Sequence, residues 1–203
     1  MGFFVTIEGI EGSGKSALAN ALQHRLTSSC SRVLVTREPG GTAIGDVVRR
    51  ILLDCKEVSD RAELLLFEAA RAQHIEEIIK PALGRGDLVI CDRYIDSTIA
   101  YQGYGRGIDF AIIERVNNFA TKCMMPNLTI LLDLPVQVGL ARQTKVDRIS
   151  AQGLEFHESV RRGYLDLAEA DPERFVIINA ARSFEEVLDE AAEIIATKAK
   201  VKL

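Results

Sequence analysis

Cysteine is sparse and irregularly placed in this 203-residue sequence: Cys30, Cys55, Cys91 and Cys123 show no CxxC spacing. That pattern excludes a disulfide framework and argues against a cysteine metal site. The thiols are expected to be reduced, in a cytoplasmic protein, with Cys91 a small core residue. An excess of one sign of charge is also lacking: 25 Lys and Arg against 29 Asp and Glu leave a net balance of -4. A polybasic clamp is excluded, and no nucleic-acid partner is expected. No run approaches the roughly 18 apolar residues of a membrane helix, so no membrane partner is expected either. The opening "MGFFVTIEG" is too short and lacks the basic lead of a signal peptide. Gly2 runs straight into an apparent strand, which sets aside a lipidation reading. An apolar share of 47% excludes a disordered chain and suffices for a substantial core.

What is present is a regular alternation. "FFVTIE" (3–8), "RVLVTR" (32–37), "LVICD" (88–92), "NLTILLD" (127–133) and "RFVIIN" (174–179) read as strands. Their hydrophobicity is continuous rather than alternating, as in parallel strands buried on both faces. Helical segments fall near 15–28, 43–54, 60–80, 109–121, 155–170 and 183–199. The third is expected to open on a capping box, Asp60 with Glu63, and to stop before Pro81. This order predicts a doubly wound α/β fold, a five-stranded parallel sheet flanked by helices. No linker, repeat or low-complexity tract interrupts it, so residues 1–203 are expected to form one domain. The polar stretch "RQTKVDRISAQG" (142–153) reads as a mobile surface segment.

"GIEGSGKS", residues 9–16, carries the most specific chemistry. Gly9-x-x-x-x-Gly14-Lys15-Ser16 follows a strand and opens a helix, the setting that a P-loop requires. The loop Gly9, Ile10, Glu11, Gly12, Ser13 and Gly14 turns tightly and aims N–H groups at phosphate, helped by the helix N-terminus. Lys15 is expected to reach the β- and γ-phosphates of ATP, and Ser16 to ligate Mg²⁺. Glu11 is the anomaly, a carboxylate inside an anion-binding loop; Glu8 upstream is expected to steady that loop or a lid residue. "TKVD" (144–147) looks like a guanine-reading motif but does not follow a strand directly. Without an Asp-x-x-Gly switch a regulatory GTPase is disfavoured, and the chain is short for an ATPase machine. A small kinase is the better expectation.

Asp92 sits at the carboxyl end of a strand, where open α/β sheets bind ligands and where it could hold Mg²⁺ or its waters. Arg93 offers a fork for a second phosphate, or a structural ion pair. Phe67 and Arg71 share one helix face. They could stack and hydrogen-bond a flat base, although on spacing alone Phe67 reads better as core. Ser97, Thr98, Tyr101 and Gln102 could read base and sugar edges, or serve as caps and turn contacts.

Together "IEGIEGSGKS", "TREPGGT", "LLLFEAARAQH", "CDRYIDSTIAYQGYGRG", "PNLTILLDLPVQVGL" and "DRI" resemble bacterial thymidylate kinases, in family order over most of the chain. The resemblance implies the P-loop NTPase fold with a short lid at about 142–153, ATP and dTMP as substrates, Mg²⁺, and a homodimer. It implies that Phe67 stacks thymine, that Arg71 bonds its carbonyl, and that Thr98 and Gln102 make the remaining base contacts. Tyr101 matches the tyrosine beside the sugar's 2′ carbon. Arg37, Arg49 and Arg93 fall where the acceptor phosphate is gathered, and Asp92 organises the metal. The Glu11 carboxylate is implied to turn toward the acceptor's 3′-hydroxyl.

Family members with "EG" in the loop bring cations from the lid instead, a role that suits Arg142, Lys145 and Arg148, or those charges form a solvated face. The lid is several residues shorter than the family pattern, and Ser150 replaces the glutamate of "DRIE". Two alternatives stand beside this reading: a kinase for another monophosphate, such as dUMP or a purine nucleotide, and a nucleotide-binding switch with no acceptor.

Overall fold

The computed structural model describes residues 2–27, 32–143 and 147–201. Five strands, β1 (Phe3–Glu8), β2 (Val33–Arg37), β3 (Leu88–Asp92), β4 (Leu128–Asp133) and β5 (Phe175–Asn179), form one parallel sheet in the order β2-β3-β1-β4-β5. The chain leaves β1 for one edge and later returns past it to the other. That reversal places a crevice at the carboxyl ends of the central strands. There Ile7 and Arg37 both register with Asp92.

The strands are apolar on both faces because both faces are covered. Val5, Ile7, Ile90 and Ile130 pack with Leu18, Leu22 and Leu26 of helix α1 (Lys15–Leu26) and with Ile195 of the last helix. On the alternate side Phe4, Val89 and Cys91 pack with Ile75, Ile79, Tyr94 and Ile95. Each fully buried Leu or Ile of these layers is worth about 1.5–3 kcal/mol over its exposed state.

The remaining helices are α2 (Ala43–Asp54), α3 (Asp60–His74), α4 (Lys80–Gly84), α5 (Ile95–Thr98), α6 (Phe110–Thr121), α7 (Val136–Ala141), α8 (Leu154–Ala170) and α9 (Phe184–Ala199). Three details depart from the sequence expectation. The cap of α3 is Ser59, whose hydroxyl accepts from Ala62 N at 3.4 Å; Glu63 does not close a capping box but is buried. The helical path does not stop before Pro81. A wide π turn (Ile75–Ile79) precedes Pro81, and the helical path runs on through it into α4. Finally, the polar stretch after Tyr94 is helical: α5 runs into a second π turn (Ile99–Gly105) packed on α8. Its polar side chains look inward, so an apolar periodicity was absent to announce it.

Candidate active site

The P-loop joins β1 to α1 through left-handed backbone at Gly12 (φ 71°) and Gly14 (φ 94°). Gly12 also lies against α7: a Cβ there would stand 2.0 Å from Gly139 O. Gly14 caps α1 with no side-chain bond, leaving the first N–H groups for an anion. Lys15 Nζ donates to Ile10 O at 2.6 Å and to Ser13 Oγ at 3.1 Å. Burial, then the neighbouring Arg93 charge, depress its pKa to about 8. Ser16 Oγ donates to Asp92 Oδ2, whereas Asp92 Oδ1 is buried with no hydrogen-bond partner among the described residues. A hydroxyl and a carboxylate with a spare oxygen form a hard donor set that fits Mg²⁺.

Arg93 sits in left-handed backbone (φ 71°), its N–H held by Ile7 O at 3.1 Å. One guanidinium nitrogen donates to Gly9 O, Ser97 Oγ and Tyr164 Oη at 3.1–3.2 Å, and the other to Glu11 Oε1 at 2.9 Å. Tyr101 Oη donates to Glu11 Oε2 at 2.5 Å, and its ring lies under Arg93 at 5.0 Å. Burial opposes ionisation of Glu11, but Arg93, with His157, Lys15 and Tyr101 behind it, prevails and holds its pKa at about 2. The loop's carboxylate is thus a fixed anion turned toward Arg93 and Tyr101.

Beneath it Glu8 is fully buried and accepts from Tyr94 N, Ser97 Oγ and Tyr164 Oη at 2.6–3.0 Å. Burial, then Asp96 repulsion, raise its pKa to about 7. Glu8 therefore steadies the segment after β3, along with the root of the loop.

A cavity of about 290 Å³ opens above these groups. It brings together Glu11, Gly12, Lys15, Ser16, Asp92 and Arg93 with Arg37, Arg49, Phe67, Arg71, Ser97, Thr98, Tyr101 and Gln102. Phe67 is half-buried, packed on core at one side and lining the cavity at the other. Arg71 is fully buried yet multiply bonded: Nε to Glu38 at 2.7 Å, the terminal nitrogens to Glu68, Thr98 (2.9 Å), Asn117 (2.8 Å) and Tyr94 O (3.0 Å). Those carboxylates outweigh its burial and raise its pKa further, so it remains a cation that can only donate. Arg49 donates to Pro39 O at 3.1 Å; burial, then Arg37, lower its pKa. Arg37 lines the same cavity, and its charge acts on Arg49.

Other expected residues lie elsewhere. Gly9 and Ile10 do not line the large cavity. Ser13 and Gly14 line a second cavity of about 150 Å³ with Arg142, Arg182 and Phe184, and Arg142 donates to Ala180 O at 3.0 Å. Arg148 lines neither cavity; it donates to Leu52 O at 3.1 Å and pairs with Glu63 at 2.6 Å. Lys145 lies outside the described residues. Ser150, where "DRIE" has glutamate, bonds Asp147 N at 2.8 Å and closes the turn.

Sequence reasoning missed Glu38, Glu63, Glu68, Asn117 and Tyr164, all of which hold these side chains. Glu68 stands three residues before Arg71, a legible spacing. Glu63 was hidden by its likeness to a cap, and Tyr164 had no local signal.

Comparison with known proteins identifies the family. The family described as "Thymidylate kinase" matches residues 7–191. Thymidylate kinase of Citrifermentans bemidjiense is 50% identical over 192 residues, covering 89% of this chain and 85% of that protein. That of Geotalea uraniireducens is 47% identical over 212 residues, covering 99% of each. The crystal structure of thymidylate kinase from Ehrlichia chaffeensis superposes with a TM-score of 0.81 at 34% identity, covering 96% of this chain and 98% of that one. The chain has the P-loop NTPase fold and belongs to the thymidylate kinase family.

Proposed function

We propose that this enzyme, a nucleoside monophosphate kinase, transfers the γ-phosphate of ATP to dTMP, giving ADP and dTDP. The observation that carries the reading is one continuous cavity joining Lys15, Ser16 and Asp92 to Phe67, Arg71 and Gln102. A phosphate-gripping end and an aromatic, hydrogen-bonding end share it, as an acceptor nucleotide needs.

Phosphoryl transfer depends on positioning and charge neutralisation more than on a base. Lys15 and the α1 N-terminus grip the donor phosphates, and the second cavity, with Arg142, takes the rest of the donor. Arg37, Arg49 and Arg93 gather the acceptor phosphate. Phe67 stacks the base, and Arg71, Thr98 and Gln102 read its edge. Glu11 accepts from the 3′-hydroxyl and Tyr101 crowds the 2′ position. Ser16 and Asp92 hold Mg²⁺, which supplies neutralising charge to the phosphates when bound. Lid cations act from 142–153; Arg142 borders the donor cavity, whereas Arg148 is tied to Glu63.

The active form is a homodimer in the cytoplasm. Support comes from the apolar face that α2, α3 and α6 leave exposed: Ile44, Val47, Ile51, Leu65, Ile112 and Phe119. No helix among the described residues is long and apolar enough to cross a membrane.

The test is ADP release with ATP and Mg²⁺ against ribo- and deoxyribonucleoside monophosphates of all five bases. Fast turnover with dTMP, slower with dUMP and negligible with the rest, is the expected outcome. Preference for another base overturns the Phe67–Arg71–Gln102 assignment.

A further inference from the structure

Gln102 lines the acceptor cavity, but nothing within its own side chain decides which end of its amide faces the ligand. Its neighbour decides. Gln102 Nε2 lies 2.8 Å from Glu63 Oε1. A carboxylate only accepts, so the amide NH₂ is committed to Glu63 and the carbonyl oxygen is left for the cavity. Glu63 is 1% exposed and stays ionised: burial opposes its charge, but Arg106, Gln102 and Arg148 lower its pKa. Arg106 reaches both of its oxygens at 3.2–3.3 Å, and Arg148 of the lid comes within 2.6 Å. The carboxylate is therefore clamped from three sides.

We propose that Glu63 is a specificity-positioning residue: it fixes Gln102 as an acceptor beside the donor-only Arg71, so that the cavity selects a base edge presenting a carbonyl next to a ring N–H. Thymine and uracil present that edge. Cytosine presents its reverse, an amino donor beside an unprotonated ring nitrogen. The inference rests on the acceptor-site reading above and adds the element that orients it. Glu63 touches no substrate; it acts through Gln102.

The prediction concerns Glu63→Gln, which is isosteric and can offer an NH₂ to Gln102. The amide then turns, its own NH₂ faces the cavity, and the ratio of kcat/KM for dTMP over dCMP falls by at least about tenfold, the worth of one reversed hydrogen bond. Weakened contacts to Arg106 or Arg148 act on both acceptors alike and cancel in that ratio. In a Gln102→Met background the same change should alter the ratio by less than about twofold, because the residue it acts through is gone. A general loss of packing would not show this dependence. Should Glu63→Gln fail to fold by circular dichroism, Glu63→Asp, whose carboxylate is one methylene short of Gln102, frees the amide to take either orientation and is expected to lower the same ratio by a smaller factor, an unchanged ratio again counting against the inference. An unchanged ratio in a folded variant that still uses dTMP overturns the inference alone. No dTMP turnover by the unaltered enzyme overturns the functional reading and this one with it.

Discussion

Glu11 and Glu8 lie three residues apart and behave oppositely, because one faces fixed cations and the other faces burial and another acid. Glu11, held by Arg93 and Tyr101, is ionised throughout the physiological range. In Glu11→Ala the KM for dTMP is expected to rise about 10- to 100-fold, the loss of a charged hydrogen bond, while the KM for ATP changes by less than about threefold. Equal rises in both constants, measured by steady-state kinetics, would defeat the assignment. Glu8 titrates at about 7 when folded against its ordinary 4.5, so the folded chain binds more protons across that window. Its contribution to stability is fully present below pH 4.5 and is lost as pH rises through about 7. Thermal unfolding of the wild type and of Glu8→Gln from pH 4.5 to 8 should show the wild-type Tm falling relative to the variant with rising pH; parallel curves would show that Glu8 is ionised throughout.

At the scale of elements, the P-loop and α7 are a matched pair. Gly12 and Gly139 approach so closely that a Cβ on the first meets the carbonyl of the second at 2.0 Å, and φ is positive at Gly12. Gly12→Ala must push the loop off α7 as well as strain it. The expected result is loss of ATP binding by at least about tenfold with dTMP binding largely kept, read by calorimetry with each nucleotide alone; full ATP affinity would show that the loop accommodates the methyl. The two π turns have a related role. The one at Ile99–Gly105 carries Tyr101 and Gln102 to the cavity, and the one at Ile75–Ile79 lets the chain pass Pro81 without ending the helix. Neither widening has a simple hydrophobic period, so an expected stop at Pro81 and an unrecognised helix after Tyr94 were the outcome of reading periodicity alone.

For the whole molecule, the exposed faces of α2, α3 and α6 carry Ile44, Leu65 and Ile112 at half exposure and Phe119 at 88%. An apolar surface spread over three adjacent helices is expected to be covered by a second copy. Sedimentation of the wild type should report twice the chain mass, and Phe119→Asp with Ile112→Asp should report the monomer. A wild-type monomer at micromolar concentration would refute the homodimer. Helix α3 carries Phe67 and Arg71 on its inward side and Leu65 on its outward side, so the monomeric variant is also expected to lose some acceptor affinity.

The chain's local chemistry was enough to specify the strands, the P-loop and the positions of Asp92, Arg93, Phe67 and Arg71. Each depends on neighbours in sequence: continuous apolar runs for a sheet covered on both faces, glycines at set spacing for a phosphate loop, a strand end for a ligand site. Only tertiary structure decided what each charge faces. Glu11 became a fixed anion because Arg93 and Tyr101, more than 80 residues away, converge on it. Arg71 became an immobile donor because Glu38 and Asn117 arrive from other elements. Arg148 became a partner of Glu63 rather than a free cation. Burial and the identity of distant partners set ionisation and orientation, and neither quantity is written in local spacing.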